Sequence, residues 1–576
     1  MTVPITRTDR PDPAKIKNFP KDGKLSNRGH IWYVVKRDYF YKNEIGRGSE
    51  KKIYLGRVVN NEFLTMEEYK LKYKRNGKLR VVPNESDIQN EVKVDSKIKR
   101  NTLLIGANAL VFGAIENTHI EEDLLDAGFT PVQVAYILKH SCFNISTGSN
   151  AFYLNDEWQE DKVTTFMQNT TAKESSLFLQ MIGKEHGKIE NLFKKRQERL
   201  GENEVVSVDS TTIKCESENI TYSAVGVAKD KQYQEQIGCY IVLSHDSKMP
   251  VMYRFFSGNT HDTSTMKDIL KRESIYKSAN PHVFDKGYYS LENLAIAKEN
   301  NIKVLVSMKD KIDWAKQIID KHYDEIIQSS NHIRGYGVRG MTFKHTEKVN
   351  GTNIDLWLHV FYDEVQAANA KARKNKELDE FELAYEAEDK KALVNTKMLK
   401  YFNQQKNEDG SITLTRNYDV IDKENRFKGI FMNVTNYEED CATNINNYSS
   451  RDVIEKGFKY AKSEAEFDKI RAHSDDALNG RGLVGFISMI LLSDIYKQMN
   501  KAEIKVQKNG KKVRVKPVIE NFSFNVLKEK LNRCKIYVYT DGSLAISECE
   551  KEKGILAQMG YKNALDYALE QVNKKF

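Results

Sequence analysis

The stretch VVSVDSTTIK, residues 205–214, sets the reading of this 576-residue chain. Three of its first four residues are the β-branched valines of a short strand, and Asp209 stands at the end of that strand before Ser210, Thr211 and Thr212. Working outward, TYSAVGVA (221–228), IGCYIVLS (237–244) and MPVMYRFFS (249–257) read as further strands. A helix, TSTMKDILKR (263–272), leads to a short strand, HVF (282–284), that ends at Asp285. SLENLAIAKEN (290–300) is helical, and IKVLVSM (302–308) is a strand of the buried type. Residues 205–310 with 447–500 thus read β-β-β-α-β-α-β, an insertion, then α-α. Both aspartates are expected at strand ends, where mixed α/β sheets leave a crevice for ligands. Taken alone, each also suits a turn, Asp285 most of all because Gly287 follows it.

The insertion, residues 311–446, holds a long charged helical run at 365–402 that resembles a solvent-exposed helix pair. It also holds strand-like pieces, NIDLWLHVFYD (353–363) and RFKGIFMNVTN (426–436). Helix returns at 448–473, followed by an apolar helix at 482–499. At about 100° per residue, Arg451, Glu455 and Lys462 fall at about −60°, −20° and −40° from Tyr448. The four side chains therefore share one narrow arc. Arg451 and Glu455 are also i, i+4 partners, which accounts for that pair as an exposed ion pair but not for Tyr448 and Lys462. A carboxylate flanked by two cations and a phenol suits metal and phosphate contacts.

YSSRDVIEKGFKYAK matches Y-x2-R-x3-E-x6-K at Tyr448, Arg451, Glu455 and Lys462, and so resembles the signature of DDE transposases of bacterial insertion sequences. VDSTTI at Asp209, FFSGNTHDTSTM (255–266), FDKGYYSLENL at Asp285, RFKGIFMNVTN and GRGLVGFISMILL are similar to other stretches of that family. The resemblance implies a ribonuclease-H-like core, a mixed five-stranded sheet with flanking helices interrupted by an insertion domain. It implies that Asp209, Asp285 and Glu455 are the catalytic, metal-binding triad for two Mg²⁺ ions, with Mn²⁺ able to substitute. Such ions would activate a water or a 3′-hydroxyl for in-line attack at phosphorus. Arg451 and Lys462 would clamp phosphates, and Tyr448 would contact backbone or a displaced base. Trp357 suits base stacking but better suits core packing, and His261 reads as structural.

Charge is uneven. Residues 1–100 hold 24 Lys+Arg against 13 Asp+Glu, more than the whole net charge of +9. Such a basic module suits phosphate neutralisation or a solvated face. Within it, 31–41 and 51–59 read as strands and 65–75 as a helix. The expected domains are 1–100 for DNA binding, 101–203 helical, 204–310 and 447–500 as the catalytic core, 311–446 as the insertion, and 501–576 for dimerisation or for capping the core.

With 40% hydrophobic and 10% aromatic residues, disorder is not the dominant state. No run approaches about 18 apolar residues, the best being 483–495, and the start has no apolar signal core. Six scattered cysteines without a CxxC pair read as reduced and structural. A cytoplasmic protein, nucleoid-associated when bound to DNA and without a membrane role, is expected. The leading reading is a transposase acting as a homodimer on terminal inverted repeats and target DNA. The rivals are a structure-specific nuclease without strand transfer and a non-catalytic DNA-binding derivative.

Overall fold

The structure, a computed structural model, describes residues 12–28, 31–42, 48–59, 62–65, 68 and 99–574, apart from 216, 228–232, 272–279, 310–311, 388–395, 409–411 and 507–513. The chain divides into two compact units, residues 1–96 and 97–576. In the first, Lys24–Arg28, Ile31–Lys42, Gly48–Val59 and Glu62–Thr65 form an antiparallel sheet in sequential order. Trp32 and Val34, two residues apart on one face, join Ile16, Val58 and Phe63 in a small core. Both strand expectations hold there, whereas the helix expected at 65–75 lies outside the described residues.

The second unit is mixed α/β, built on a ten-stranded sheet among the described residues. Val206–Lys214 pairs antiparallel with Tyr233–Ser244 and parallel with His282–Phe284, which pairs parallel with Val304–Ser307. The far edge of Tyr233–Ser244 is shared by Pro250–Ser257 and Ala224–Val227. The sheet does not stop at five strands, because the insertion continues it. Ile430–Thr435 pairs with Val304–Ser307, Thr352–Tyr362 with Ile430–Thr435, and Val338–Val349 with Thr352–Tyr362. Asn350 (φ 49°) and Gly351 (φ 88°) make the hairpin turn, the two positive φ values that an Asn-Gly pair accommodates. Val338–Val349 escapes a reading by hydrophobic alternation because most of its length is half-exposed and polar.

Within the charged run, Glu364–Glu386 is one helix and Thr396–Leu399 a short second one, with residues 388–395 outside the described residues, and the ribbon Phe402–Lys406 with Ile412–Arg416 follows. Leu378, Phe381, Tyr401, Phe402 and Ile421 give this part a core of its own, so it is not simply a solvated stripe.

Asp475–Lys501 is the long axis of the helical layer, packed against Asn108–Thr118, Pro131–Thr147, Ala172–Gly183 and Asp452–Ala465. It is long and apolar enough to span a bilayer by length and composition, but 83% of its apolar window is buried among these neighbours. Gly480 meets the backbone of Leu179, and Gly183 that of Asp476, so the two helices cross with no room for a Cβ. Within the region expected to be helical, Ile120–Asp126 and Pro131–Thr147 are two separate helices. Gly128 (φ 100°) ends the first, and a Thr130–Gln133 capping box before Pro131 starts the second. At the carboxyl end, Lys535–Tyr539 pairs with Lys99–Leu104, closing the last hundred residues onto the start of this unit. All six cysteines are free and buried.

Candidate active site

Strand register brings the two aspartates side by side. Val206, Ser207 and Val208 lie opposite His282, Val283 and Phe284 in parallel pairing, so Asp209 and Asp285 are the next residues of both chains. Asp285 ends its strand as expected. Asp209 does not: its strand runs on to Lys214, paired throughout with Tyr233–Ser244, with Asp209 opposite Ile241. Asp209 is at an end only on the parallel side, where the shorter partner strand stops at Phe284 and uncovers it.

The helix expected over 448–473 is also divided. Cys441–Ser449 is one helix and Asp452–Ala465 another, with Arg451 as the residue that caps the second. The chain tightens between them, since the Arg451 amide donates to the Tyr448 carbonyl, three residues back, at 3.1 Å. The second helix ends early because Glu466 takes φ 51°. It is held there by Arg471, Ser149 and the Asn150 amide, and Arg471 first of all lowers its pKa to about 2.

Two of the four side chains reach an aspartate, Arg451 and Tyr448 at Asp285, while Glu455 is tied in through Arg451 and Lys462 meets the Asp209 strand at Thr211. Arg451 Nη1 forms an ion pair with Asp285 Oδ1 at 2.8 Å and Nη2 donates to Glu455 Oε1 at 3.2 Å, so one guanidinium bridges carboxylates 170 positions apart. Burial opposes the charge on Arg451, but Tyr448, Asp285, Asp209 and Glu455 outweigh it and raise the pKa. The Tyr448 hydroxyl donates to Asp285 Oδ1 at 3.5 Å, and burial raises the phenol's pKa. Lys462 Nζ donates to Thr211 Oγ1 at 2.7 Å. Thr211 lies two residues from Asp209 and therefore on the same face of the strand. The helix is thus laid along the Asp209 strand, with Arg451 at one end and Lys462 a few turns on. Glu455 is 61% exposed and Asp285 37%, so both are open to a ligand.

Asp262 is a further carboxylate here, one to which the sequence assigned no chemistry. Its Oδ1 accepts from Ser210 Oγ at 3.0 Å, and a Cβ at Gly287 would lie 2.6 Å from its Oδ2. Gly287 is needed for that approach. Burial first, then Asp209, Asp262 and Asp285, push the pKa of the fully buried Tyr288 phenol far upward. The available signal was the spacing: a glycine two residues after one aspartate, facing another at a helix start. His261 is structural at its main chain, its carbonyl accepting from the Ser264 and Thr265 amides. Trp357 is half-buried, with Lys344 Nζ 5.5 Å from its ring centre.

Residues 200–491 match the model of the transposase DDE domain, a span of just over half the chain. This chain belongs to the transposase DDE domain family. The transposase domain so defined contains Asp209, Asp262, Asp285, Tyr448, Arg451, Glu455 and Lys462, and leaves out the basic amino-terminal unit. No curated protein matches the chain. Among solved structures, a piggyBac transposase synaptic complex with hairpin DNA, seen by cryo-EM, aligns at a TM-score of 0.34 and 8% identity, over 74% of this chain and 79% of that one.

As donors, carboxylate oxygens in this transposase domain suit hard cations such as Mg²⁺ or Mn²⁺ rather than zinc. Their spacing is another matter. Among the described residues no group of three or more His, Cys, Asp or Glu is close enough to hold a metal ion. Arg451 stands where a counter-cation to Asp285 and Glu455 would be expected.

Proposed function

We propose that this protein is a DNA transposase that cuts at the ends of its element and joins them to target DNA, with Asp209, Asp285 and Glu455 as the catalytic carboxylates. The reading rests above all on one observation: Arg451 ties Asp285 to Glu455 beside Asp209, although the three are far apart in sequence. The pairing order Pro250–Ser257, Tyr233–Ser244, Val206–Lys214, His282–Phe284, Val304–Ser307 supports a ribonuclease-H-like core over 204–310 and 447–500, with 311–446 inserted. The Y-x2-R-x3-E-x6-K spacing supports the insertion-sequence branch and a bacterial, cytoplasmic setting.

By donor chemistry the three carboxylates are the residues that would hold Mg²⁺, but as placed here they are not grouped closely enough to do so and would have to draw together. The ion would then supply a nucleophilic water or 3′-hydroxyl and stabilise the leaving oxygen. Arg451 and Lys462 bind and orient phosphates, the former with a planar fork matched to two oxygens. Tyr448, kept a neutral phenol by burial, contributes a hydrogen-bond donor and a ring face. The residue 1–100 module would hold terminal inverted repeats by phosphate contacts. A homodimer would pair two ends, with residues 501–576 as the candidate dimer contact.

Incubating the full chain with labelled terminal DNA and Mg²⁺ tests this. Cleavage with joined product is expected, abolished by Asp209→Ala, Asp285→Ala or Glu455→Ala. Nicking without joining would favour the nuclease reading. DNA binding with no cleavage under any metal would favour the non-catalytic one.

A further inference from the structure

The Asp452–Ala465 helix has a second flank, turned away from the carboxylates. At about 100° per residue, Lys456, Gly457 and Tyr460 lie roughly 100–200° round it from Glu455, away from the Glu455 and Lys462 side. Facing them are Lys497 and Lys501 of the long helix and Lys248 from the turn between Tyr233–Ser244 and Pro250–Ser257. Together they enclose a pocket of about 430 Å³ whose lining includes four lysines and no carboxylate. The Tyr460 and Tyr496 rings stack against it, 3.6 Å apart and 3° from parallel.

The pocket is built rather than incidental. Lys248 has φ 62°, in the left-handed region where a side chain other than Asn or Asp is uncommon. Its turn is pinned, with the Ser247 amide on Ser244 Oγ at 3.0 Å and the Asp246 amide on Glu204 Oε1 at 3.3 Å. Lys497 Nζ donates to the Ser247 carbonyl at 3.2 Å, tying the long helix to that turn. Four cations drawn to one concavity repel unless an anion joins them.

We propose that this pocket takes the phosphodiester backbone of a second DNA segment, one that runs along the reverse flank of the Glu455 helix and is held by charge without reading sequence. The inference rests on the transposase reading and adds a separate DNA path to it. Lysines as point charges suit sequence-independent phosphate contact.

The test is the salt dependence of binding of the full chain to a labelled duplex of arbitrary sequence. The triple variant Lys248→Gln, Lys456→Gln, Lys501→Gln changes exposed side chains only. It is expected to lower the slope of log affinity against log salt by about 2–3, since each phosphate contact contributes about 0.9. A control triple, Arg373→Gln, Lys376→Gln and Lys423→Gln, removes equal charge elsewhere and is expected to change the slope by less than about 1 by the same rule. Lys248→Gly adds an independent readout, a raised melting temperature from relieved backbone together with weakened DNA binding. An unchanged slope in the first triple, or an equal change in both, overturns the second path and leaves the carboxylate site standing. Failure of the wild type to bind any DNA overturns both.

Discussion

Arg451 and Asp285 are joined in an ion pair, with 2.8 Å between Nη1 and Oδ1, and the same guanidinium reaches Glu455. Replacing Arg451 by Ala removes the cation that bridges those carboxylates and, on the proposed reading, a phosphate clamp. Cleavage at the DNA end is expected to fall about 10²–10³-fold, the usual scale for losing one donor to developing charge. Arg451→Lys should recover part of it, because an ammonium keeps the charge but not the fork. Single-turnover cleavage at saturating DNA distinguishes the two, and a wild-type rate in Arg451→Ala would remove Arg451 from the site.

Gly287 gives Asp262 its place. Gly287→Ala puts a Cβ 2.6 Å from Asp262 Oδ2, so the carboxylate must shift away from Ser210. A loss of about 1 kcal/mol is expected, the cost of turning the Asp262 side chain off its rotamer and away from Ser210, measured by urea unfolding. Adding Asp262→Ala removes the obstructing atom, so the double variant should recover stability relative to Gly287→Ala. Simple additivity of the two changes would contradict the contact.

The crossing of Ala172–Gly183 with Asp475–Lys501 depends on glycine at both points. Gly480→Ala and Gly183→Ala each drive a methyl into opposing backbone, which cannot turn aside as a side chain can. Each should cost about 3 kcal/mol or more, the upper end for overpacking. Thermal unfolding of either variant at wild-type temperature would show that the helices separate easily.

Acid should weaken the fold in two steps. Burial lowers His140 to about 3 and His245, His282 and His359 to about 4, all below the ordinary 6.5. The unfolded chain therefore binds protons first, so stability is intact above about 6.5 and falls as pH drops towards 4. Glu466, lowered to about 2 chiefly by Arg471, contributes stability that is present above its ordinary 4.5 and is lost as pH falls through 2. Urea unfolding across this range should show both slopes, with Glu466→Gln lacking the lower one. A flat profile from 6.5 to 4 would mean that the buried histidines are accessible to protons.

Much of the core was legible because its strands are short, apolar and β-branched. HVF, NIDLWLHVFYD and RFKGIFMNVTN mark His282–Phe284, Thr352–Tyr362 and Ile430–Thr435 to within a few residues. The length of the Asp209 strand was not legible, since STTIK after Asp209 is polar and reads as a turn. It is strand because Tyr233–Ser244 pairs with it along its full length. The break at Ser450–Arg451 was equally hidden, as both residues keep helical dihedral angles while the hydrogen bonding shifts from four residues back to three.

By itself the sequence determined which side chains carry charge and at what spacing: two aspartates beside predicted strands, and a Tyr, Arg, Glu and Lys at helical intervals. These are local properties, fixed by residue type and by backbone periods. Only the tertiary structure decided that Arg451 faces Asp285, that Asp262 enters through the space left by Gly287, and that Lys248, Lys456, Lys497 and Lys501 share one pocket. Those contacts join residues far apart along the chain, and their partners are chosen by strand register and helix packing, which no local pattern specifies.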